Sequence, residues 1–134
     1  MEFQRVFSAA PWESIAGYCR ALKAGDTLLV GGTVAFDDDG KPFKPGDAYA
    51  QTLRCLEIIE QALKQLGADR TRIIATSMYT SNMDLWPKIA QAHKEFFDQH
   101  PPTTKLLEVA RLIGPEFVIE IEAEARSTGD RGHE

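Results

Sequence analysis

Cysteine is scarce in this chain: Cys19 and Cys55 are the only two among 134 residues. Their spacing makes neither a metal-ligand set nor a redox pair, so both read as buried or bystander thiols. Long apolar runs are missing as well. No stretch approaches the roughly 20 apolar residues that a membrane span requires, which excludes a helical membrane protein. There is no run of Lys or Arg either, and 15 basic side chains face 20 acidic ones for a net charge of −5. Such a field repels polyanions, and nucleic acid is a poor partner for it. The opening residues, Met1-Glu2-Phe3-Gln4-Arg5, lack the basic start and apolar run of a secretory signal. With so few thiols, a reducing cytoplasm is the expected home.

What is present suits one globular domain. Hydrophobic residues make up 43% of the sequence, enough at this length for one core without staples. No internal repeat or linker interrupts it. Only Ser127 to Glu134, two glycines among polar and charged residues, reads as disordered. A single domain is therefore expected over 1–126, with a flexible tail over 127–134.

The apolar run Leu28-Leu29-Val30 enters Gly31-Gly32, continues through Thr33 to Phe36 and closes on Asp37-Asp38-Asp39-Gly40, the pattern of a strand leading into a tight turn. Paired glycines inside a strand mark a bulge or a place where another group approaches the backbone. Gly46-Asp47 then opens a helix whose apolar face is Leu53, Leu56, Ile59, Leu63 and Leu66, with Asp47 as its cap and Gly67 as its stop. Gln51, Arg54 and Glu57 fall toward its polar side, from which Gln51 can still reach a neighbouring element. Ile73 to Tyr79 reads as a strand, and Asn82-Met83-Asp84 as the turn before a second helix.

That second helix presents Trp86, Ile89, Ala90, His93, Phe96 and Phe97 at steps of three and four as a core face. His93 reads as a packed or hydrogen-bonded histidine, because no second histidine stands at metal-ligand spacing. Pro101-Pro102 ends the helix. Thr104 to Leu112 alternates, with Thr104, Leu106, Glu108 and Ala110 on one face and Lys105, Leu107, Val109 and Arg111 on the other. After a turn at Gly114-Pro115, Phe117, Ile119, Ile121 and Ala123 alternate with Val118, Glu120, Glu122 and Glu124, an apolar face backed by an acidic one. Strands, helix, strand, helix, strands is the order of an α+β protein: a two-layer sandwich with a mixed β-sheet and two main helices on one face. Val34, Leu106 and Val118 are expected on the other face, where association of subunits would cover them.

Gly31-Gly32-Thr-Val-Ala-Phe with Gly40 downstream, Gln51-Thr52 opening the first helix, Phe96-Phe97 ending the second, Glu108-Val-Ala-Arg-Leu and Ile119-Glu120-Ile-Glu122-Ala together resemble the Rid (YjgF) family over about residues 10 to 126. The resemblance implies a chorismate-mutase-like fold and a homotrimer whose sheets form an inner barrel, with small-molecule clefts at the interfaces and neither metal nor cofactor. It also implies hydrolysis of reactive enamines and imines, such as 2-aminoacrylate, to a 2-keto acid and ammonia. By the same resemblance Glu120 is the water-positioning catalytic residue, while Tyr18, Gly31 and Gly32 line the substrate site.

Two substrate-binding positions depart from the family pattern. Pro102-Thr103-Thr104 stands where Pro-Ala-Arg is usual, so Thr104 occupies the slot of the arginine that grips a carboxylate, and Leu106 a slot often held by cysteine. A single hydroxyl in place of a charge-assisted two-pronged contact loses about 2–4 kcal/mol, or about 30- to 1,000-fold in affinity for a carboxylate. Lys105, Arg20 and Arg111 are the cations that could compensate. The expected function is a Rid-type deaminase acting on something other than simple 2-imino acids. The alternative is a trimeric module that binds a metabolite or partner without turnover. Endoribonuclease activity, sometimes attached to the family name, needs a cationic surface that the net charge does not supply.

Overall fold

The computed structural model describes residues 2–127. Its strands are β1 (Phe3–Val6), β2 (Ala21–Ala24), β3 (Thr27–Val34), β4 (Ile73–Thr80), β5 (Thr103–Glu108) and β6 (Ile119–Arg126), joined in one sheet of order β1-β2-β3-β6-β4-β5. Every neighbouring pair is antiparallel except β4 and β5. A short α1 (Trp12–Ala16) follows β1, and two longer helices, α2 (Ala48–Lys64) and α3 (Trp86–Phe97), cover one face. This is the expected mixed-sheet α+β sandwich. The sequence pattern had not indicated β1, α1 or β2, although Gly25-Asp26, the two-residue loop between Ala24 and Thr27, is a hairpin signal.

Alternation makes the core. Ile119, Ile121, Ala123 and Ala125 of β6 turn inward and pack with Leu28 and Val30 of β3, Met78 of β4, Leu56, Ile59 and Leu63 of α2, and Ile89 and Phe97 of α3. The helices start and stop for local reasons. Asp47 accepts a hydrogen bond from the Ala50 N–H at 2.9 Å and caps α2. Asn82 caps the one-turn 3₁₀ helix before α3 in the same manner, from Asp84 N–H at 3.0 Å.

Several sequence expectations need correction. Gln51 is fully buried rather than on a polar face. Its amide nitrogen donates to the carbonyls of Phe43, Lys44 and Glu116, and its oxygen accepts from Val118 N–H at 3.0 Å, which ties two loops to α2. The strand expected over Thr104 to Leu112 ends at Glu108: Val109 N–H still bonds Thr80 O at 2.9 Å, after which the chain leaves the edge to reach β6 on the far side of β4. Val34, Leu106 and Val118 do not lie bare on the open face. Val34 packs in a second cluster with Ala10, Phe36, Ile58 and Phe117, Leu106 pairs with Met78 on the helix side, and Val118 packs against the main core. Leu29 and Leu107, each about half exposed at 48%, are the apolar side chains there, beside Glu124 and Tyr79. Trp86, read as core, is 54% exposed because it sits at the first turn of α3.

The tail expected at 127–134 lies outside the described residues apart from Ser127. That residue is buried, and its N–H donates to Asp26 O at 2.9 Å, so Ser127 belongs to the folded domain rather than to a tail. Among the described residues no helix is long and apolar enough to cross a membrane.

Glu60 of α2 holds the loop before β4. It takes the Arg70 guanidinium through Nε at 3.0 Å and Nη2 at 2.7 Å, and accepts the Arg70 N–H at 2.9 Å, while the guanidinium lies 3.8 Å from the Phe96 ring centroid. Burial alone would raise the Glu60 pKa, but the hydrogen bonds and charge of Arg70 hold it below the ordinary carboxylate value. A depressed carboxylate stabilises the fold fully above its unfolded pKa of about 4.3, and that contribution disappears as pH falls through the lower folded value. Glu60→Gln should therefore flatten the acid limb of stability against pH, read from urea midpoints. Gln51→Leu takes away the side-chain partner of Phe43 O and of Val118 N–H, while Lys44 O and Glu116 O keep the N–H groups of Asp47 and Gly46, and it should cost on the order of 3 kcal/mol in the same measurement.

Candidate functional site

The first group of candidate residues gathers around the bulge in β3. Val30 pairs with Ala123 and Thr33 with Ile121, so Gly31 and Gly32 together oppose the single residue Glu122. The bulge is held from behind by Arg20, whose side chain is fully buried. Its Nη1 donates to Gly32 O at 2.6 Å and to Thr33 Oγ1 at 3.0 Å, and its Nε to Glu13 Oε2 at 3.0 Å. Glu13 is buried as well and also accepts from Ser8 N–H at 2.8 Å and from the Ser8 hydroxyl. The Tyr18 ring lies on the same guanidinium, 5.6 Å from Cζ to the centroid.

Glu120 stands over this bulge. On β6 it pairs with Val34 and Tyr79, and a methyl group added at Gly32 would run into its carboxylate, so the glycine lets that carboxylate lie against the bulge. Gly31 carries no such restriction: a methyl group there would meet only ordinary contacts. Burial raises the Glu120 pKa above the ordinary value, Glu122 raises it further, and the positive charge of Arg20 opposes both. Tyr18, Gly31, Gly32 and Glu120 are thus brought together, with Arg20 beneath them.

Thr104 and Leu106 are elsewhere. They pair with Thr76 and Met78 on the helix side of β5, whereas Glu120 lies on the opposite face of the sheet and one strand away. There they line a cavity of about 390 Å³ between α3 and the sheet edge, with Met78, Trp86, Phe97 and Pro102. Its wall is mostly apolar. Thr104 does not stand alone: the Thr76 hydroxyl donates to Thr104 Oγ1 at 2.7 Å and is itself 2.9 Å from His93 Nε2. His93 is packed against Phe97 at 4.6 Å between ring centroids, and burial lowers its pKa. It is the hydrogen-bonded histidine that the sequence pattern indicated, but its partners, Thr76 and through it Thr104, were not legible.

The three cations considered as substitutes for an arginine separate cleanly. Arg20 is committed to Glu13, Gly32 and Thr33, and no part of it reaches the Thr104 cavity. Lys105 points to the face opposite Thr104, as strand alternation requires, beside Ser77. Arg111 lies in the loop after β5 with Leu112, Ile113 and Phe117. None of them fills the place of the missing guanidinium within one chain. Among the described residues there is no group of three or more His, Cys, Asp or Glu able to hold a metal. Cys55 is fully buried, and burial drives its thiol pKa far up, so it is not a nucleophile; Cys19 is half-buried.

Comparison with known proteins finds the same architecture. The family model described as Endoribonuclease L-PSP matches residues 7–127. A member of the YjgF/YER057c/UK114 family from Mycobacterium tuberculosis superposes with a TM-score of 0.83 at 34% identity, covering 93% of this chain and 99% of that one. A RutC family protein from Pyrococcus horikoshii is 30% identical over 118 residues, 88% of this chain and 93% of its own length. A protein named 3-aminoacrylate deaminase RutC, from Acinetobacter baylyi, is 29% identical over 107 residues, 80% of this chain and 84% of its own.

The close approach of Glu120 to Gly32 yields a direct test. Gly32→Ala must displace the flexible carboxylate toward solvent, so the protein should stay folded while the Glu120 titration, followed by carboxyl ¹³C shifts, moves down toward the ordinary value. An unchanged titration would mean that Gly32 does not seat Glu120.

Proposed function

This chain belongs to the endoribonuclease L-PSP family, the YjgF or Rid family of its solved relatives, and on that premise we propose that it is a homotrimeric enamine or imine hydrolase. Its clefts lie between subunits, and its substrates are not simple 2-imino acids. The observation that carries this reading is Glu120, a half-buried carboxylate of raised pKa, seated over Gly32 and beside a backbone carbonyl fixed by Arg20. An enamine first gains a proton at carbon and loses one from nitrogen to become the imine. The Glu120 carboxylate then takes a proton from water as the oxygen adds to the C=N carbon and passes it to the nitrogen. The carbinolamine so formed gives up its hydroxyl proton by the same route to the nitrogen as the C–N bond breaks, leaving a C=O group and ammonia. The named activity of the Acinetobacter baylyi relative supports the reaction class.

The split between the two groups of residues supports the trimer. Glu120 and Thr104 lie on opposite faces of one sheet, so a cleft that uses both needs a second copy of the chain. Half-exposed Leu29 and Leu107 on the open face, and the unpaired outer edge of β5, supply surface for that contact. The departure from 2-imino acids rests on Thr104, which stands where a carboxylate-gripping guanidinium is expected. The same observation favours the second reading, a trimeric binding module without turnover.

Ammonia release from freshly generated 2-aminoacrylate and from uncharged imines separates the two. Hydrolysis of uncharged imines that drops at least about a hundredfold in Glu120→Ala supports the enzyme, and activity on 2-aminoacrylate should appear or rise in Thr104→Arg. Inactivity on every imine, with Thr104→Arg also silent, leaves the binding module. Because the base must be ionised, activity should fall as pH drops through a value above the ordinary carboxylate range, which a pH-rate profile reads directly.

A further inference from the structure

We propose that the cavity between α3 and β5 selects an uncharged ligand, an apolar or aromatic body ending in an amide, carbonyl or hydroxyl, through the hydrogen-bonded chain Thr104–Thr76–His93. This rests on the reading of that cavity as one half of a ligand cleft, and it specifies what the cleft takes.

The body of the ligand follows from the wall. Met78, Trp86, Ile89, Phe97, Pro102 and Leu106 enclose about 390 Å³ and offer dispersion contacts and two aromatic surfaces. Lys94 and Asp98 stand exposed and opposite in sign where the cavity meets solvent, and together they impose no net charge on it. The polar end follows from the chain of hydroxyls. Thr76 is buried at 2% exposure and His93 at 9%, so neither can exchange its partner for bulk water. Thr104 is exposed and is the member that meets a ligand.

Each threonine has one proton, which gives the chain two polarities. With a proton on His93 Nε2, the imidazole donates to Thr76, Thr76 donates to Thr104, and the Thr104 proton is left to donate to a ligand carbonyl. With the proton on Nδ1 instead, Nε2 accepts from Thr76, Thr76 accepts from Thr104, and the Thr104 oxygen accepts from a ligand N–H or O–H. Both states keep the imidazole neutral, in accord with the downward pull of burial on its pKa. The chain thus adapts to a donor or an acceptor while presenting no positive charge. A carboxylate placed there would be desolvated with one hydroxyl to pair with, which disfavours it. Thr76 and His93 act here as positioning residues for Thr104.

Benzamide and benzoate, equal in shape and different in charge, test the proposal on the full chain by calorimetric titration at neutral pH. Benzamide should bind roughly tenfold tighter or more. Its binding should also shift the His93 imidazole ¹⁵N resonances, which report the tautomer and would not respond if His93 were only a packing residue. Thr76→Val interrupts the chain at equal side-chain volume, and His93→Phe keeps the ring stacked on Phe97; each should remove most of the preference for benzamide. The second variant keeps the test open if the first fails to fold. Equal or tighter binding of benzoate, no binding of either probe, or a preference unchanged in both variants overturns the proposal. Failure of the hydrolase reading looks different: imine hydrolysis is then absent or indifferent to Glu120→Ala, while the preference between the two probes persists.

Discussion

The buried guanidinium of Arg20 is the interaction on which the site side of the molecule depends. A charge out of water is expensive unless its hydrogen bonds are satisfied, and here the partners come from two segments: Glu13 from α1, and Gly32 in the bulge of β3 together with Thr33 just after it. The cost of burial therefore enforces geometry, because any displacement of α1, β2 or the bulge leaves a charge or a carbonyl unpaired. Phe36 and Tyr18 lie at 5.8 and 5.6 Å from the guanidinium carbon and complete its surroundings. What looks in the sequence like a spare cation is a structural rivet. Its field at Glu120 lowers the pKa of that carboxylate, against burial and Glu122, which raise it.

The two faces of the sheet have been given opposite chemistries. The open face concentrates Glu120, Glu122 and Glu124 along one strand, with the Tyr79 hydroxyl donating to Glu122 Oε1 at 2.9 Å. The helix face at the other end of the sheet carries an apolar hollow whose polar feature is a neutral chain of hydroxyls. A protein that joins these two surfaces in one cleft places a proton acceptor opposite a hydrophobic seat. That arrangement suits addition of water to a neutral unsaturated bond and gives little purchase to a free carboxylate.

Much of this was legible in the sequence, and the reason is periodicity. The steps of three and four from Leu53 to Leu66 placed α2, and the alternation of Ile119, Ile121 and Ala123 with the glutamates fixed both faces of β6. The paired glycines announced the bulge. Short elements escaped: four-residue β1 and β2 are too brief to establish an alternation, and their pairing comes from neighbours rather than from their own composition. Gln51 and Trp86 were misplaced because helical position predicts a face, not whether a loop folds over the polar side or leaves the first turn bare. The Thr104–Thr76–His93 chain escaped entirely, since it joins β4, α3 and β5 and no local pattern records a contact of that range. The missing arginine at Thr104, by contrast, was visible as a departure from family pattern before any geometry was known.

The place of β6 has a consequence for synthesis. Strands β3 and β4 both run antiparallel to it, and the β1-β2-β3 and β4-β5 portions of the sheet are joined only through it, so the sheet exists as two halves until residues 119–126 arrive. On the ribosome the chain emerges with β1-β2-β3 and β4-α3-β5 complete, each showing a bare inner edge of backbone donors and acceptors. Those edges are templates for pairing with any neighbouring nascent chain. Vectorial translation thus makes β6 a gate: the interval between emergence of β4 and emergence of β6 is the window in which this protein is exposed to misassembly, and slow decoding there would widen it.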